Sequence, residues 1–176
     1  MLAFATRGQR GALMRLQSVS LMILIATGVL ALACGSSDPE LPAPNGRALW
    51  NFLQESDYRQ NWELWPGKGE LYQGGEPHGA LFTTYLNNAA FNALTNLTGT
   101  IPDGGIIVKE NYTPDAVFNL ITVMYKSEGF DPKNANWFWA KIGAAGDVQA
   151  EGKVAGCQAC HGGNRANDFV LTAPLK

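Results

Sequence analysis

Apolar residues in this chain fall into one long run and several short blocks whose periods differ. The run is Leu21 to Ala33 (LMILIATGVLALA), uninterrupted by charge. Beyond it, Leu49, Phe52 and Leu53 recur at helical spacing, which predicts a helix from Arg47 to about Gln60. Trp62, Trp65, Pro66 and Gly67 then read as a loop. Gly79–Leu86 (GALFTTYL) is rich in aromatic and β-branched residues and predicts a strand. Asn87 suits the cap of a short helix over Asn88–Leu97. After a turn at Pro102-Asp103-Gly104-Gly105, Ile106–Tyr112 (IIVKENY) and Phe118–Lys126 (FNLITVMYK) predict two more strands. Asp131-Pro132 opens another loop, Asn136–Ile142 (NWFWAKI) reads as a fourth strand, and Ala145-Gly146-Asp147 turns the chain back toward Val148. Lys153–Gly162 is a short helical or turn segment. Four strands with short connections make the expected fold class α+β, mainly an antiparallel β-sheet with a few short helices, in a single domain.

Charge divides the chain differently. Arg7, Arg10 and Arg15 precede the apolar run with no acid among them, so residues 1–33 read as an export signal peptide. The run is shorter than the roughly 20 residues a spanning helix needs; an uncleaved membrane anchor is the other reading. Ala31-Leu32-Ala33 fits a small-residue cleavage site, and the same residues followed by Cys34 resemble a bacterial lipoprotein box in which that cysteine becomes lipidated. Residues 34–46, rich in Pro and Gly, read as a lipidated Cys with a flexible tether, and residues 47–176 as the folded domain. Ten of the 13 basic residues and all 15 acidic ones follow residue 33, a difference of −5. An acidic exported chain argues against nucleic acid as a partner, which would call for a basic face.

The chemistry concentrates near the C-terminus. Cys157-Gln158-Ala159-Cys160-His161 is the C-x-x-C-H pattern of covalent haem c attachment. Two thiols at that spacing bond the two vinyl groups, and the histidine next in line is placed to ligate the iron from the proximal side. Zinc would want two more ligands, and only His78 and Cys34 remain. A redox C-x-x-C would sit early in a βαβ unit. With two cysteines on haem c, Cys34 is left over, and lipidation gives it a role. Haem c is attached outside the cytoplasm, so motif and export signal agree on the periplasm. The sixth iron position then decides function: a filled one transfers electrons, an open one takes a small ligand. Candidates to fill it are His78, Met124 and Lys109. Met124 also reads as core, His78 as a polar residue supporting the site, and Arg165 and Lys153 as partners of haem propionates or of solvent.

From about Tyr58 to Thr172 the chain resembles the cytochrome P-460 family, which includes the cytochrome c′-beta proteins. The resemblance is carried by Glu76-Pro77-His78-Gly79-Ala80, Tyr85, Pro102-Asp103-Gly104-Gly105-Ile106-Ile107-Val108-Lys109-Glu110, Tyr125-Lys126, Asn136-Trp137 and Gly156-Cys157-Gln158-Ala159-Cys160-His161. It implies a mostly antiparallel β fold, a homodimer and one C-terminal haem c. In the P-460 branch, which oxidises hydroxylamine, a lysine bonds the porphyrin edge, and the matching residue here is Lys109. The c′-beta branch lacks that bond and is associated with nitric oxide binding. The hydroxylamine-oxidising members carry a distal arginine and glutamate where this chain has Phe82 and Thr122. An apolar cap at Phe82 is closer to the gas-binding branch.

Three functions follow as expectations. One is oxidation of hydroxylamine or a related nitrogen oxide at a five-coordinate haem, with Lys109 tuning the macrocycle, His78 standing in for the missing base, and electrons leaving to a separate periplasmic acceptor. Glu110 and Glu76 are weaker candidates for that base. The second is binding of nitric oxide or another diatomic gas under Phe82. The third is electron transfer with Met124 or His78 on the iron.

Overall fold

A computed structural model describes residues 40–176; the expected export signal and Cys34 lie outside them. The first helix, α1 (Gly46–Glu55), starts where Asn45 accepts a hydrogen bond from the Ala48 amide at 2.8 Å. It buries Leu49, Phe52 and Leu53. It ends earlier than the apolar period suggests, because Asp57 takes a left-handed backbone (φ 42°) and the remainder forms a separate turn, α2 (Tyr58–Asn61). Tyr125 donates to the Pro42 carbonyl at 3.0 Å, so the last residues of the expected tether lie against the domain.

Seven strands form one antiparallel sheet: β1 (Glu63–Leu64), β2 (Tyr72–Gly75), β3 (Gly79–Leu86), β4 (Ile106–Tyr112), β5 (Phe118–Lys126), β6 (Trp137–Gly143) and β7 (Val148–Gly152). The order is β1-β3-β4-β5-β6-β7, with β2 also pairing β3. The expected α+β class with a mainly antiparallel sheet is therefore the observed one, and β3, β4 and β5 have their expected bounds. Strand β6 starts one residue late, since Asn136 is left-handed (φ 61°). Three strands escape prediction: β1 and β2, because two residues, or a Tyr-Gln-Gly-Gly stretch, carry too little apolar alternation, and the short β7, for which the sequence shows only the turn back toward Val148. Helix α3 (Asn88–Thr95) is capped by Asn87, whose side-chain oxygen accepts from Ala90 at 3.1 Å and from Ile106 at 2.9 Å. It stops before Leu97, which is again left-handed.

The sheet is covered on both sides. Ile106 and Val108 of β4, Ile121 and Val123 of β5, and Phe138 and Ile142 of β6 pack under α1. On the other face Leu86, Ile107, Met124, Trp137 and Trp139 pack with α3 and the C-terminal segment. Alternation in β4 therefore sends Glu110 to the α1 side and Lys109 to the other. The last helix, α4 (Ala155–His161), follows β7 and runs into a 3₁₀ turn, Gly162–Asn167. No helix among the described residues is long and apolar enough to cross a membrane.

Candidate functional site

A cavity of about 280 Å³ lies between the α3-side face of the sheet and α4. The register builds its floor. Thr84 pairs with Lys109, Lys109 with Thr122, Ile107 with Met124, and Met124 with Trp139, so these side chains share one face. All of them line the cavity, together with Trp65, Val170 and Leu171. No Asp or Glu does.

Helix α4 supplies the opposite wall. Cys157 and Cys160 are three residues apart on one helical face, both reach the cavity, and no disulfide joins them. Burial pushes the Cys157 thiol up from its ordinary value. His161 ends the helix and is buried. Its Nδ1 lies 2.8 Å from the Phe169 carbonyl. A carbonyl only accepts, so Nδ1 holds the hydrogen and Nε2 keeps the lone pair that binds a metal. The Trp139 ring packs 4.8 Å from the imidazole.

The Phe169 carbonyl is itself held in place. Asp168 and Phe169 are both left-handed (φ 52° and 67°). The buried Asp168 carboxylate pairs with Lys126 Nζ at 2.6 Å and accepts from the Ile101 amide at 2.8 Å. Trp137 donates to the Asp168 carbonyl at 3.0 Å. Gln158, between the two cysteines, donates to Asp131 at 2.8 Å and docks α4 on the turn before β6. None of these supporting contacts stood out in the sequence; the period-two spacing of Trp137, Trp139 and Lys141 was the signal that could have placed Trp139 on the Met124 face.

Across the cavity, His78 sits in the turn between β2 and β3. Its Nδ1 lies 3.2 Å from Thr122 Oγ1, and its ring centre 6.3 Å from that of His161 with the planes at 86°. Burial, then the Lys109, His161 and Lys141 charges, lower the His78 pKa to about 4. The imidazole is neutral at neutral pH, able to ligate or to accept a hydrogen bond. Lys109 is half-buried, and desolvation lowers its pKa. Its Nζ lies 4.8 Å from the centre of the Phe82 ring, and no acid pairs with it among the described residues.

The candidates thus divide. Cys157, Cys160, His161, His78, Lys109, Thr122 and Met124 meet at one cavity. Phe82 stands one layer back, packed on Tyr72 and His78 with ring centres 5.7 and 6.0 Å away, rather than lining the cavity as a cap. The close approach of its ring needs a glycine at position 74, where a Cβ would lie 2.6 Å from it. Glu110 lies on the opposite face, accepting from Tyr58 at 2.7 Å and from Arg59 and Tyr112. It is removed from the distal bases, and Glu76 is exposed in the turn outside the cavity lining. Lys153 pairs with Asp131 at 3.6 Å, while Arg165 donates to the Lys133 carbonyl and to Asn134; neither lines the cavity.

The donor set fits a covalently attached haem. Two thiols on one helical turn and an imidazole with its Nε2 free converge on an apolar cavity, and no cluster of three His, Cys, Asp or Glu among the described residues could hold a bare metal ion. No curated protein matches the chain. The sequence model of the family described as Cytochrome P460 matches residues 55–172, a span from the end of α1 to the far wall of the cavity.

Proposed function

The chain belongs to the cytochrome P460 family, and from that premise we propose that it is an exported protein with one haem c that oxidises hydroxylamine or a related small nitrogen compound. The observation that carries the proposal is the placing of a neutral imidazole, His78, across the same cavity from His161. Haem held there by thioether bonds to Cys157 and Cys160 would supply an iron able to accept electrons from a nitrogen ligand.

The side chains divide the remaining work. His161, with Nδ1 tied to the Phe169 carbonyl, presents Nε2 as the proximal ligand. His78 stands where it can take the hydrogen of an N–H or O–H group, with Nδ1 engaged by Thr122 and Nε2 left toward the cavity. Lys109, whose charged form burial disfavours, is the residue that the family resemblance joins to the porphyrin edge. Apolar side chains make up most of the surface around these groups. Electrons leave to a separate periplasmic acceptor. Cys34, as a lipidated N-terminus, would tether the protein to the membrane, and the functional unit is a homodimer as in the resembled proteins.

Anaerobic hydroxylamine with a dye acceptor tests the reading. The haem-loaded protein is expected to bleach the dye, and His78→Ala to lose about 10²-fold or more in kcat. Turnover no faster than that of free haem would sink the oxidase reading. The absence of any carboxylate from the cavity lining favours a second reading, reversible binding of nitric oxide without turnover. The same preparation would then bind nitric oxide and leave the dye coloured.

A further inference from the structure

We propose that His78 is a second axial ligand of the haem iron, closing the distal face at rest and yielding to an incoming nitrogen ligand. The inference rests on the haem c reading above. The five-coordinate form expected from the sequence is then the reactive state rather than the resting one.

The two histidines of this chain face one cavity from opposite walls. Their ring centres are 6.3 Å apart and their planes cross at 86°. A metal–imidazole bond is about 2 Å long, so two such bonds in line occupy about 4 Å of that separation and the two half-rings the rest. Each ring has one nitrogen already engaged: His161 Nδ1 at the Phe169 carbonyl and His78 Nδ1 at the Thr122 hydroxyl. Thr122 also accepts from Asn111 at 3.3 Å, which steadies its oxygen. In the tautomer whose Nδ1–H donates to Thr122, the lone pair of His78 lies on Nε2, the nitrogen without a protein partner. The pair is therefore built alike, each imidazole held through Nδ1 by an oxygen.

The rival ligands are placed differently. Met124 is a floor residue between Ile107 and Trp139, packed into the apolar cluster of the sheet face. Lys109 Nζ rests against Phe82. His78 alone comes from a turn between strands rather than from the sheet, half-buried, with one side-chain hydrogen bond holding it. Such a residue can swing aside without disturbing the register. The exchange breaks the iron–Nε2 bond and forms a bond from the iron to the nitrogen of the incoming ligand. Each donor keeps its own lone pair, so no electron is transferred and no proton need move. Once displaced, the same Nε2 is free to take the hydrogen of the bound substrate.

Electron paramagnetic resonance and near-infrared magnetic circular dichroism of the ferric, haem-loaded protein test the assignment. Wild type is expected to be low-spin with the signature of two imidazoles. His78→Ala is expected to be high-spin, to regain the low-spin signal on adding imidazole, and to take up carbon monoxide in the ferrous state about tenfold or more tightly, as expected when a mostly closed form is opened. A high-spin wild type overturns the proposal and leaves the haem c reading standing. So does a low-spin signal that survives His78→Ala and is lost in Met124→Ala or Lys109→Ala. If His78→Ala takes up no haem, the wild-type signature decides alone, because a thioether or amine in the sixth position gives a different near-infrared band. A colourless protein overturns the haem c reading and this assignment together.

Discussion

His161 would ligate nothing reliably if its ring were free to turn, and what fixes it is a single backbone carbonyl. The Phe169 oxygen takes the Nδ1 hydrogen and so decides the tautomer. Thr122 holds the His78 ring from the sheet through the same nitrogen, Nδ1. Lys109 is the converse case, a half-buried amine that no acid among the described residues pairs with and whose charge burial disfavours. A neutral amine can bond carbon; a guanidinium, always charged, cannot. Digestion and mass spectrometry of the haem-loaded protein are therefore expected to find the peptide holding Lys109 joined to haem along with the peptide holding Cys157 and Cys160. The reduced Soret band is expected to lie well to the red of ordinary haem c. Lys109→Arg is expected to restore both the ordinary band and a free peptide. An unmodified Lys109 peptide from wild type would remove the cross-link.

Elements come into position through a few buried polar anchors. The Lys126–Asp168 pair ties the end of β5 to the segment that presents the Phe169 carbonyl, and both side chains are buried. Removing one partner of a buried pair strands the other charge. Lys126→Ala is accordingly expected to cost about 3–5 kcal/mol in urea unfolding. Because Asp168 also takes the Ile101 amide, the loss is expected to loosen the corner behind His161 as well. A cost below about 1 kcal/mol, the range of exposed pairs, would show that the pair is solvated. On α4, Gln158 and Asp131 act likewise, holding the helix that carries both thiols on the turn before β6.

At the scale of the whole molecule the sheet separates two chemistries. One face holds the cavity; the other buries Glu110 under Tyr58, Tyr112 and Arg59, with Tyr85 stacked edge-on against Tyr58 at 5.3 Å. Burial first, and then the Glu110 charge, push Tyr85 up to about 12 and move Tyr58 upward; burial and then the hydrogen bond to Glu110 move Tyr112 upward too. An unfolded tyrosine ionises near pH 10. Between pH 10 and 12 the unfolded chain therefore holds fewer protons than the folded one, so stability falls as pH rises through that window and is unaffected below it. These tyrosines are expected to leave Tm unchanged between about pH 7 and about pH 10 and to lower it above, with tyrosinate absorbance appearing only on unfolding; Tyr85→Phe should make the decline shallower. The sequence by itself determined the strands with strong alternation, the Asn87 cap and the Cys157-Gln158-Ala159-Cys160-His161 attachment motif, because each depends on neighbours a few residues apart. Helix ends at Asp57 and Leu97, the short β1 and β2, and the separation of Glu110 from Lys109 by the plane of the sheet needed the structure. So did the facing of His78 and His161, 83 positions apart in the chain. Those features are set by strand pairing and by contacts between distant segments, and a local pattern of apolar and polar residues carries no record of which segments will meet.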